Sequence, residues 1–333
     1  MVSPAPAPAL PGISPGLQAR LDAGLAAVEA LLHARVDHDD PFIAEATAHL
    51  LAAGGKRFRP LLTLLAAELG DGINDDVIAA AAGVELTHLA SLYHDDVMDD
   101  ADTRRGVPSA NAKYDNSTAI LVGDLLFGTA SDIIADLGRE AVKIQSQTFI
   151  RLCSGQIRDD RHCPPGQDPH EYYLGVLADK TGVLIATAAR YGALLSGCSR
   201  ELIATLTEYG ERIGIAFQLA DDLIDISSEI EVLGKAPGTD IREGKRTLPI
   251  INALASTDPA DAHLQGLLQV NGPTEEQVAE MLDLVRPHTA MRRAQEETDA
   301  VAAGAKAVLA EVPDGEVKAA LLHLADRVVA RMA

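Results

Sequence analysis

The sequence contains no tryptophan, and aromatic residues make up only 3% of its 333 residues. Residues that favour strands do not cluster into short runs between turn signals, which argues against a β-sandwich or β-barrel. Alanine and leucine are abundant instead, and small side chains allow helices to pack closely. The composition therefore predicts an all-α protein.

Cysteine is scarce as well, because only Cys153, Cys163 and Cys198 occur and they form no C-x-x-C pair. The dipeptide His162-Cys163 lacks the second pair that a zinc site needs. No uninterrupted apolar run looks long enough to span a bilayer, and no signal peptide is visible. We therefore expect reduced cysteines and a soluble, cytoplasmic protein without stable membrane insertion.

Cations are outnumbered, with 28 lysines and arginines against 49 aspartates and glutamates and a net charge of −21. This charge argues against nucleic acid or an anionic membrane surface as the main partner. An acidic protein that binds an anionic substrate must use localised cations. The few clusters of lysine and arginine are therefore informative.

The first acidic cluster, Asp95, Asp96 and Asp99, ends an apolar run from Val77 to Tyr93 that reads as a buried helix. Asp95 and Asp99 are four residues apart and share a helical face, with Cβ atoms roughly 5–6 Å apart. A helix C-terminus disfavours such anions unless a cation joins them. Oxygen ligands on one face suit Mg²⁺, which takes phosphates and waters as further ligands. A solvated acidic helix end would be the simpler interpretation of this motif alone.

A second acidic cluster repeats the D-D-x-x-D pattern at Asp221, Asp222 and Asp225, behind the apolar segment Ile213–Ala220. Two solvated helix ends of this form would be a rare coincidence. The sequence instead predicts two helices that face each other across a cavity, with a diphosphate and several Mg²⁺ ions between them.

With these two clusters the sequence resembles the trans-isoprenyl diphosphate synthases, the all-helical polyprenyl synthetase family. The other matching segments occur in family order: Gly54–Pro60, Asp102–Gly106, Lys180-Thr181, Phe217-Gln218 and Gly244–Pro249. The resemblance implies an isoprenoid synthase helical bundle around a central cavity, about three Mg²⁺ ions per active site, and a homodimer. We expect one such domain over residues 16–333, after a Pro- and Ala-rich, disordered tail over residues 1–15.

A basic segment, Lys56, Arg57 and Arg59, precedes Pro60 and fits the first turn of a helix. A helix N-terminus with lysine and arginine suits a diphosphate, although a basic surface loop has the same composition. The resemblance implies that this segment binds isopentenyl diphosphate together with His88. A histidine in an apolar helix is more often a core residue. His88, however, lies seven residues before Asp95 on the same helical face, which favours a functional role.

Further substrate contacts are implied by the resemblance alone. Arg104 would bind the allylic diphosphate and Arg105 isopentenyl diphosphate. Lys180 lies among apolar residues and needs an anionic partner, for which the family supplies the allylic diphosphate. Thr181 would bind the same substrate, and Gln218 would face its reacting end.

A glycine-rich, charged segment follows the second cluster, from Leu233 to Arg246. It reads as a lid that closes over the diphosphate and excludes water. Lys235 and Lys245 are its substrate-binding candidates. Mg²⁺, Lys180, Lys235 and Arg104 would stabilise the departing diphosphate while the isopentenyl double bond attacks the allylic cation.

Product length is predicted from the residues before Asp95. In the family, a bulky aromatic four or five residues earlier blocks growth, whereas here Ser91 and Ala90 are small, with Thr87 below them. A tunnel that deepens by about 5.4 Å per helical turn predicts roughly six to ten isoprene units, suited to a quinone side chain. A geranylgeranyl or farnesyl product is the alternative, if another helix supplies the plug.

Three other functions fit the sequence less well. A class I terpene cyclase needs no second diphosphate site, which Gly54–Pro60 and Arg105 provide. A non-catalytic subunit of a heteromeric synthase typically lacks one aspartate motif, and both are complete here. A di-iron carboxylate bundle needs Glu-x-x-His pairs, which the chain lacks.

Overall fold

The structure is a computed structural model that describes residues 10–227 and 237–330. The regular secondary structure of these residues is helical apart from one short hairpin, so the predicted all-α class is confirmed. The helices are α1 (Pro15–Val36), α2 (Pro41–Ala52), α3 (Phe58–Ala67), α4 (Asp75–Met98), α5 (Ala110–Lys113), α6 (Asn116–Ala135), α7 (Arg139–Asp159), α8 (Pro169–Leu177), α9 (Val183–Leu195), α10 (Arg200–Ser227), α11 (Thr239–Arg242), α12 (Leu248–Leu254), α13 (Ala262–Leu267), α14 (Glu275–Val285), α15 (Thr289–Val308) and α16 (Glu316–Ala330). Short 3₁₀ turns cover Pro259–Asp261 and Leu309–Glu311.

The predicted disordered tail is described only from Leu10 onwards. Leu10 is buried, and Ser14 caps α1 by accepting a 3.1 Å hydrogen bond from the N–H of Leu17. Residues 10 and 14 thus make ordered contacts, and the disordered tail over residues 1–15 stays a prediction. Residues 1–9 lie outside the described part of the chain, as do residues 228–236 of the predicted lid, including Lys235.

The chain divides into two compact units. The first consists of Met1–Phe149, Leu184–Thr207 and Glu311–Leu321, and the second of Ile150–Val183, Glu208–Ala310 and Leu322–Ala333. The single domain over residues 16–333 stays a prediction.

Helix α4 is the central element of the first unit, where it packs against α1, α3 and α6. Its small residues allow this close packing. At Gly83, for example, an added Cβ would lie 2.9 Å from Cδ1 of Ile134 on α6. The first acidic cluster therefore ends a helix that is held from several sides.

The second unit has its own apolar core, in which Leu219 and Leu223 of α10 pack with Tyr173 of α8 and Leu248 of α12. Two helical segments of this unit are interrupted. A π-helical turn, Ala178–Gly182, separates α8 from α9. The segment after residue 275 breaks between α14 and α15, at Pro287, because proline lacks the N–H that a helix interior requires.

A two-stranded hairpin follows the first acidic cluster. Strands β1 (Thr103–Arg104) and β2 (Val107–Pro108) pair antiparallel. The turn between them places Arg105 (φ 55°) and Gly106 (φ 78°) in the left-handed region, as tight hairpins require. The turn thus fixes two adjacent arginines, Arg104 and Arg105, in different backbone conformations.

The sequence predicts no uninterrupted apolar run long enough to span a bilayer, and α6, which Asp124 and Asp132 interrupt, is the helix among the described residues that comes near one. By length and composition alone this helix of 20 residues passes that test, and 39% of its most apolar window is buried. The core helix of a water-soluble protein passes the same test. Because α6 packs against α4, we assign it to the core of the first unit.

Candidate active site

The first acidic cluster lies at the C-terminal end of α4, with Asp96 fully buried, Asp95 half-buried and Asp99 exposed. Asp96 Oδ1 accepts a 2.6 Å hydrogen bond from Nε of Arg104, and its Oδ2 accepts one of 3.2 Å from the N–H of Ala110. Nη2 of Arg104 lies 3.9 Å from Oδ2 of Asp99. The cluster thus contains a cation of its own, in a residue that the sequence assigned only to substrate.

Cationic side chains gather beside this cluster in the first unit. Burial is the main cause that lowers the pKa of His88 well below its usual value, and the charges of Arg59 and Arg105 lower it further. Burial also lowers the pKa of Arg59 to about 10, and Arg59 Nε has no hydrogen-bond partner among the described residues. Lys56 is exposed. A neutral His88 among these cations can donate a hydrogen bond to an anion without adding to their repulsion.

Arg105 is anchored by the end of helix α2. Its Nη1 donates to the carbonyl of Leu50 at 3.0 Å and to the carbonyl of Gly54. The carbonyls at a helix C-terminus carry partial negative charge, which favours a cation there. The sequence alone gave no sign of this anchor, because it joins residues about fifty positions apart.

Arg57, which the sequence predicts to bind substrate, is paired with two carboxylates, and its contact with substrate stays a prediction. Its Nε lies 2.8 Å from Glu29 and its Nη1 lies 3.1 Å from Glu85, which is buried. A left-handed backbone at Arg57 (φ 46°) turns the side chain toward these carboxylates. Arg57 is therefore a structural residue of the basic segment. Glu29 and Glu85 were missed because nothing in their local sequence marks them as partners of an arginine.

The residues predicted to set product length lie on α4, in different surroundings. Ala90 is fully buried in the apolar core of the first unit. Ser91 is half-buried, and its hydroxyl donates to the carbonyl of His88 at 2.8 Å. Thr87 is fully buried and accepts a 2.8 Å hydrogen bond from Nε2 of Gln145 on α7. Gln145, whose Oε1 is buried without a hydrogen-bond partner in the described part of the chain, was missed by the sequence analysis.

The second acidic cluster lies near the C-terminal end of α10 in the second unit, and its buried members are Asp222 and Asp225. The hydroxyl of Tyr173 donates to Asp222 Oδ2, and Nε2 of Gln218 donates to Oδ1 at 3.0 Å. Oδ2 of Asp225 accepts a 3.2 Å hydrogen bond from the N–H of Asp240. Gln218, predicted to face the reacting substrate, thus contacts a carboxylate, and Tyr173 is a contact that the sequence did not reveal.

Burial raises the pKa of Asp222 well above its usual range, and the nearby negative charges of Asp240, Asp159 and Asp225 raise it further. The charge of Lys245 acts in the opposite direction, although Lys245 also lies 2.6 Å from Glu243. Such a concentration of carboxylates is relieved by a bound cation.

Lys180 and Thr181 lie in the π-helical turn, a feature that is frequent at functional sites. Nζ of Lys180 lies 2.5 Å from Oδ2 of Asp159, a partner that the sequence analysis missed. The hydroxyl of Thr181 donates to Oε1 of Gln218 at 3.2 Å. A hydrogen-bonded chain therefore runs from Thr181 through Gln218 to Asp222.

The donor set of both clusters fits a hard divalent cation, since it consists of carboxylate oxygens at helix C-termini. Within residues 10–227 and 237–330, no three carboxylate, imidazole or thiolate side chains converge to hold a metal ion by themselves. Mg²⁺ typically binds one or two protein carboxylates and completes its octahedron with phosphate oxygens and water. The arrangement thus fits a metal that binds together with a phosphorylated substrate.

Comparison with known proteins identifies a family and several similar enzymes. Residues 40–285 match the family model described as polyprenyl synthetase. Nonaprenyl diphosphate synthase of Mycobacterium tuberculosis is 44% identical, over 98% of each chain. Heptaprenyl diphosphate synthase component 2 of Geobacillus stearothermophilus is 36% identical, over 90% of this chain and 93% of the relative. The crystal structure of geranylgeranyl pyrophosphate synthase from Corynebacterium glutamicum, complexed with calcium and isoprenyl diphosphate, superposes with a TM-score of 0.87 at 41% identity, over 98% of this chain and 99% of that one.

Proposed function

Because the chain belongs to the polyprenyl synthetase family, we propose that it condenses isopentenyl diphosphate with an allylic diphosphate and so elongates an all-trans polyprenyl diphosphate. One observation carries this proposal. A protein with a net charge of −21 gathers Arg59, Arg105 and His88 in one place, beside the first acidic cluster. A terpene cyclase binds one diphosphate and needs no such second anion site.

Isopentenyl diphosphate binds at this cationic group. Arg59 has a buried donor available, and the exposed Lys56 can reach a diphosphate from solvent. Arg105 keeps further N–H donors beyond those that bind the α2 carbonyls. Charge-assisted hydrogen bonds from several arginines give the affinity that the overall negative charge opposes.

The two aspartate clusters hold Mg²⁺. Mg²⁺ held by these carboxylates would supply positive charge to offset that of a departing diphosphate. The chain's own contribution is to fix the carboxylates, through Arg104 and Ala110 at Asp96 and through Tyr173 and Gln218 at Asp222. About three ions per active site is the family's expectation, which we retain as part of the proposal.

The reaction follows from these roles. The allylic C–O bond breaks, and its electron pair leaves with the diphosphate, which Lys180 holds. The double bond of isopentenyl diphosphate attacks the allylic cation, and loss of a proton restores a double bond. The released diphosphate takes this proton. Thr181, Arg104 and Lys245 complete the contacts to the allylic substrate, together with Lys235, which lies outside the described residues.

We propose a product of roughly six to ten isoprene units, estimated from about 5.4 Å of tunnel per helical turn. The small Ser91 and Ala90 support it, as does the similarity to nonaprenyl diphosphate synthase. A geranylgeranyl product is the second candidate. It is favoured by the Gln145–Thr87 hydrogen bond, which joins α7 to α4 about two helical turns before Asp95, and by the similarity to geranylgeranyl pyrophosphate synthase.

The test is incubation of the purified chain with Mg²⁺, isopentenyl diphosphate and allylic starters of increasing length, followed by chain-length analysis. Turnover by the single chain supports a complete synthase. Absence of turnover, restored by a second polypeptide, would instead indicate a subunit, as the name of the Geobacillus relative suggests for that protein.

The assembly we propose is a homodimer. Helices α6 and α7 expose large apolar side chains in the first unit: Ile120, Leu121, Leu125, Val142 and Phe149. Contiguous apolar residues of this kind mark interaction surfaces, and a second copy of the chain would bury them. Light scattering at several protein concentrations tests the dimer.

The three cysteines form no disulfide, which supports a reducing cytoplasmic location.

A further inference from the structure

His94 immediately precedes the first acidic cluster and connects α4 to α6. Its Nε2 lies 3.0 Å from the carbonyl oxygen of Ile120. A carbonyl can only accept a hydrogen bond, so Nε2 must carry the proton in this contact. The ring is also tilted against Phe127, with ring centroids 5.6 Å apart. Nε2 also lies 3.4 Å from Oδ1 of Asp124, so the side chain is held by two polar contacts and one aromatic contact, all from α6.

The ring of His94 fits where α6 has no side chain. A Cβ built at Gly123 would lie 2.3 Å from Nε2 of His94 and 2.4 Å from its Cδ2. Atoms cannot approach so closely, so any other residue at position 123 must displace the ring or separate the helices. Gly123 thus forms a notch in α6 that receives His94, one residue before Asp95.

We propose that His94 is a positioning residue for the first metal-binding cluster. Its ring in the Gly123 notch fixes the last turn of α4, and with it the directions of Asp95 and Asp99. Mg²⁺ demands near-ideal octahedral geometry, so a small rotation of this turn weakens binding. Groups that orient metal ligands typically contribute 10–100-fold to affinity. The inference rests on the proposed role of these aspartates as Mg²⁺ ligands.

Helix α6 offers a matched pair of glycines for the test. Gly123→Ala pushes a methyl group into the ring of His94, whereas a Cβ at Gly128 meets nothing within 4 Å. Both substitutions give the same increase in helix propensity, about 0.5–1 kcal/mol. Binding is measured with Mn²⁺ as a spin probe in the presence of inorganic diphosphate. Gly123→Ala should weaken Mn²⁺ binding about tenfold or more, while Gly128→Ala should leave it unchanged.

A second pair of variants acts on the histidine itself. His94→Ala should weaken Mn²⁺ binding like Gly123→Ala, and His94→Gln should restore much of it, because its amide can still donate to Ile120. The Michaelis constant for isopentenyl diphosphate at saturating Mg²⁺ should change less than about twofold. These variants decide the question if Gly123→Ala does not fold. Light scattering confirms that every variant has the same assembly.

Two failures are distinguishable. If wild-type protein binds no Mn²⁺ with diphosphate, the proposed metal role of the aspartates is overturned. If wild type binds Mn²⁺ and both His94 variants bind it equally well, His94 only packs α4 against α6, and the inference is overturned.

Discussion

The two acidic clusters have the same D-D-x-x-D pattern but opposite surroundings. In the first, the buried Asp96 is bound by the guanidinium of Arg104. In the second, the buried Asp222 is bound by the neutral groups of Tyr173 and Gln218, while further carboxylates raise its pKa. A guanidinium thus offsets the charge of the buried carboxylate in the first cluster, whereas neighbouring carboxylates outweigh the opposing charge of Lys245 at Asp222 in the second. Two copies of the same motif can therefore have different electrostatic surroundings.

The largest effect expected is on turnover, where the two clusters should behave alike. Asp95→Ala and Asp221→Ala each remove a half-buried carboxylate that is proposed to hold Mg²⁺ and that packs little of the core. We expect each to lower kcat about 10³-fold, or about 4 kcal/mol in the barrier. Steady-state assays with circular dichroism as the control for folding check this. A folded double variant with normal turnover would refute the assignment of both clusters.

In the absence of metal, substitutions in the two clusters should change the free energy of unfolding in opposite directions. Asp96→Asn removes the charge that binds Arg104 and should lower the free energy of unfolding by about 2–3 kcal/mol, a value reduced because Arg104 is partly exposed. Asp222→Asn should raise it at pH 7. The folded-state pKa of Asp222 is raised, so its favourable term is complete below the unfolded pKa near 3.8 and is lost as pH rises through the folded pKa.

Urea unfolding in EDTA between pH 5 and 8 measures both changes. Asp283→Asn, at an exposed position, is the control and should change stability by less than about 0.5 kcal/mol. If Asp222→Asn destabilised the protein as much as Asp96→Asn, the electrostatic difference between the clusters would be disproved.

A smaller effect is expected on the Michaelis constants. Substitutions of different cationic residues should change the constants for the two substrates differently. Arg59→Ala should raise the constant for isopentenyl diphosphate about 10–100-fold, because Arg59 has a buried donor without a hydrogen-bond partner in the described chain. Lys180→Ala should impair the allylic substrate instead. Arg57→Lys breaks the bridge between Glu29 and Glu85, so it should lower stability and leave both constants near their wild-type values. Equal effects of all three variants on both substrates would contradict this division.

The sequence predicted the elements of this site better than their contacts. Periodicity and breakers gave α4 and α10 with their acidic ends, because both are local features of the chain. The partners of those ends come from distant positions: Tyr173 for Asp222, Asp159 for Lys180, and Gln145 for Thr87. No local pattern encodes such pairs.

Arg57 and Arg59 illustrate the limit of composition. Both are arginines in one basic segment, and the sequence assigned both to substrate. Arg57 has a left-handed backbone and its guanidinium is paired with Glu29 and Glu85, whereas the buried Nε of Arg59 has no hydrogen-bond partner among the described residues. The two arginines thus have different partners, and Arg57 has a backbone φ angle that a non-glycine residue rarely adopts.

The smallest effect on rate is expected from substitutions that change the length of the product. Ser91 is half-buried, whereas Ala90 is fully buried in the core. Ser91→Phe should therefore shorten the product to about three or four isoprene units, roughly one to two helical turns of tail, with little loss of stability. Ala90→Phe should instead cost about 1–3 kcal/mol of stability by overpacking. Gln145→Leu removes the hydrogen bond to Thr87 and should lengthen the product if that bond closes the path. Chain-length analysis decides, and unchanged products in both Ser91→Phe and Gln145→Leu would place the end of the path away from this face of α4.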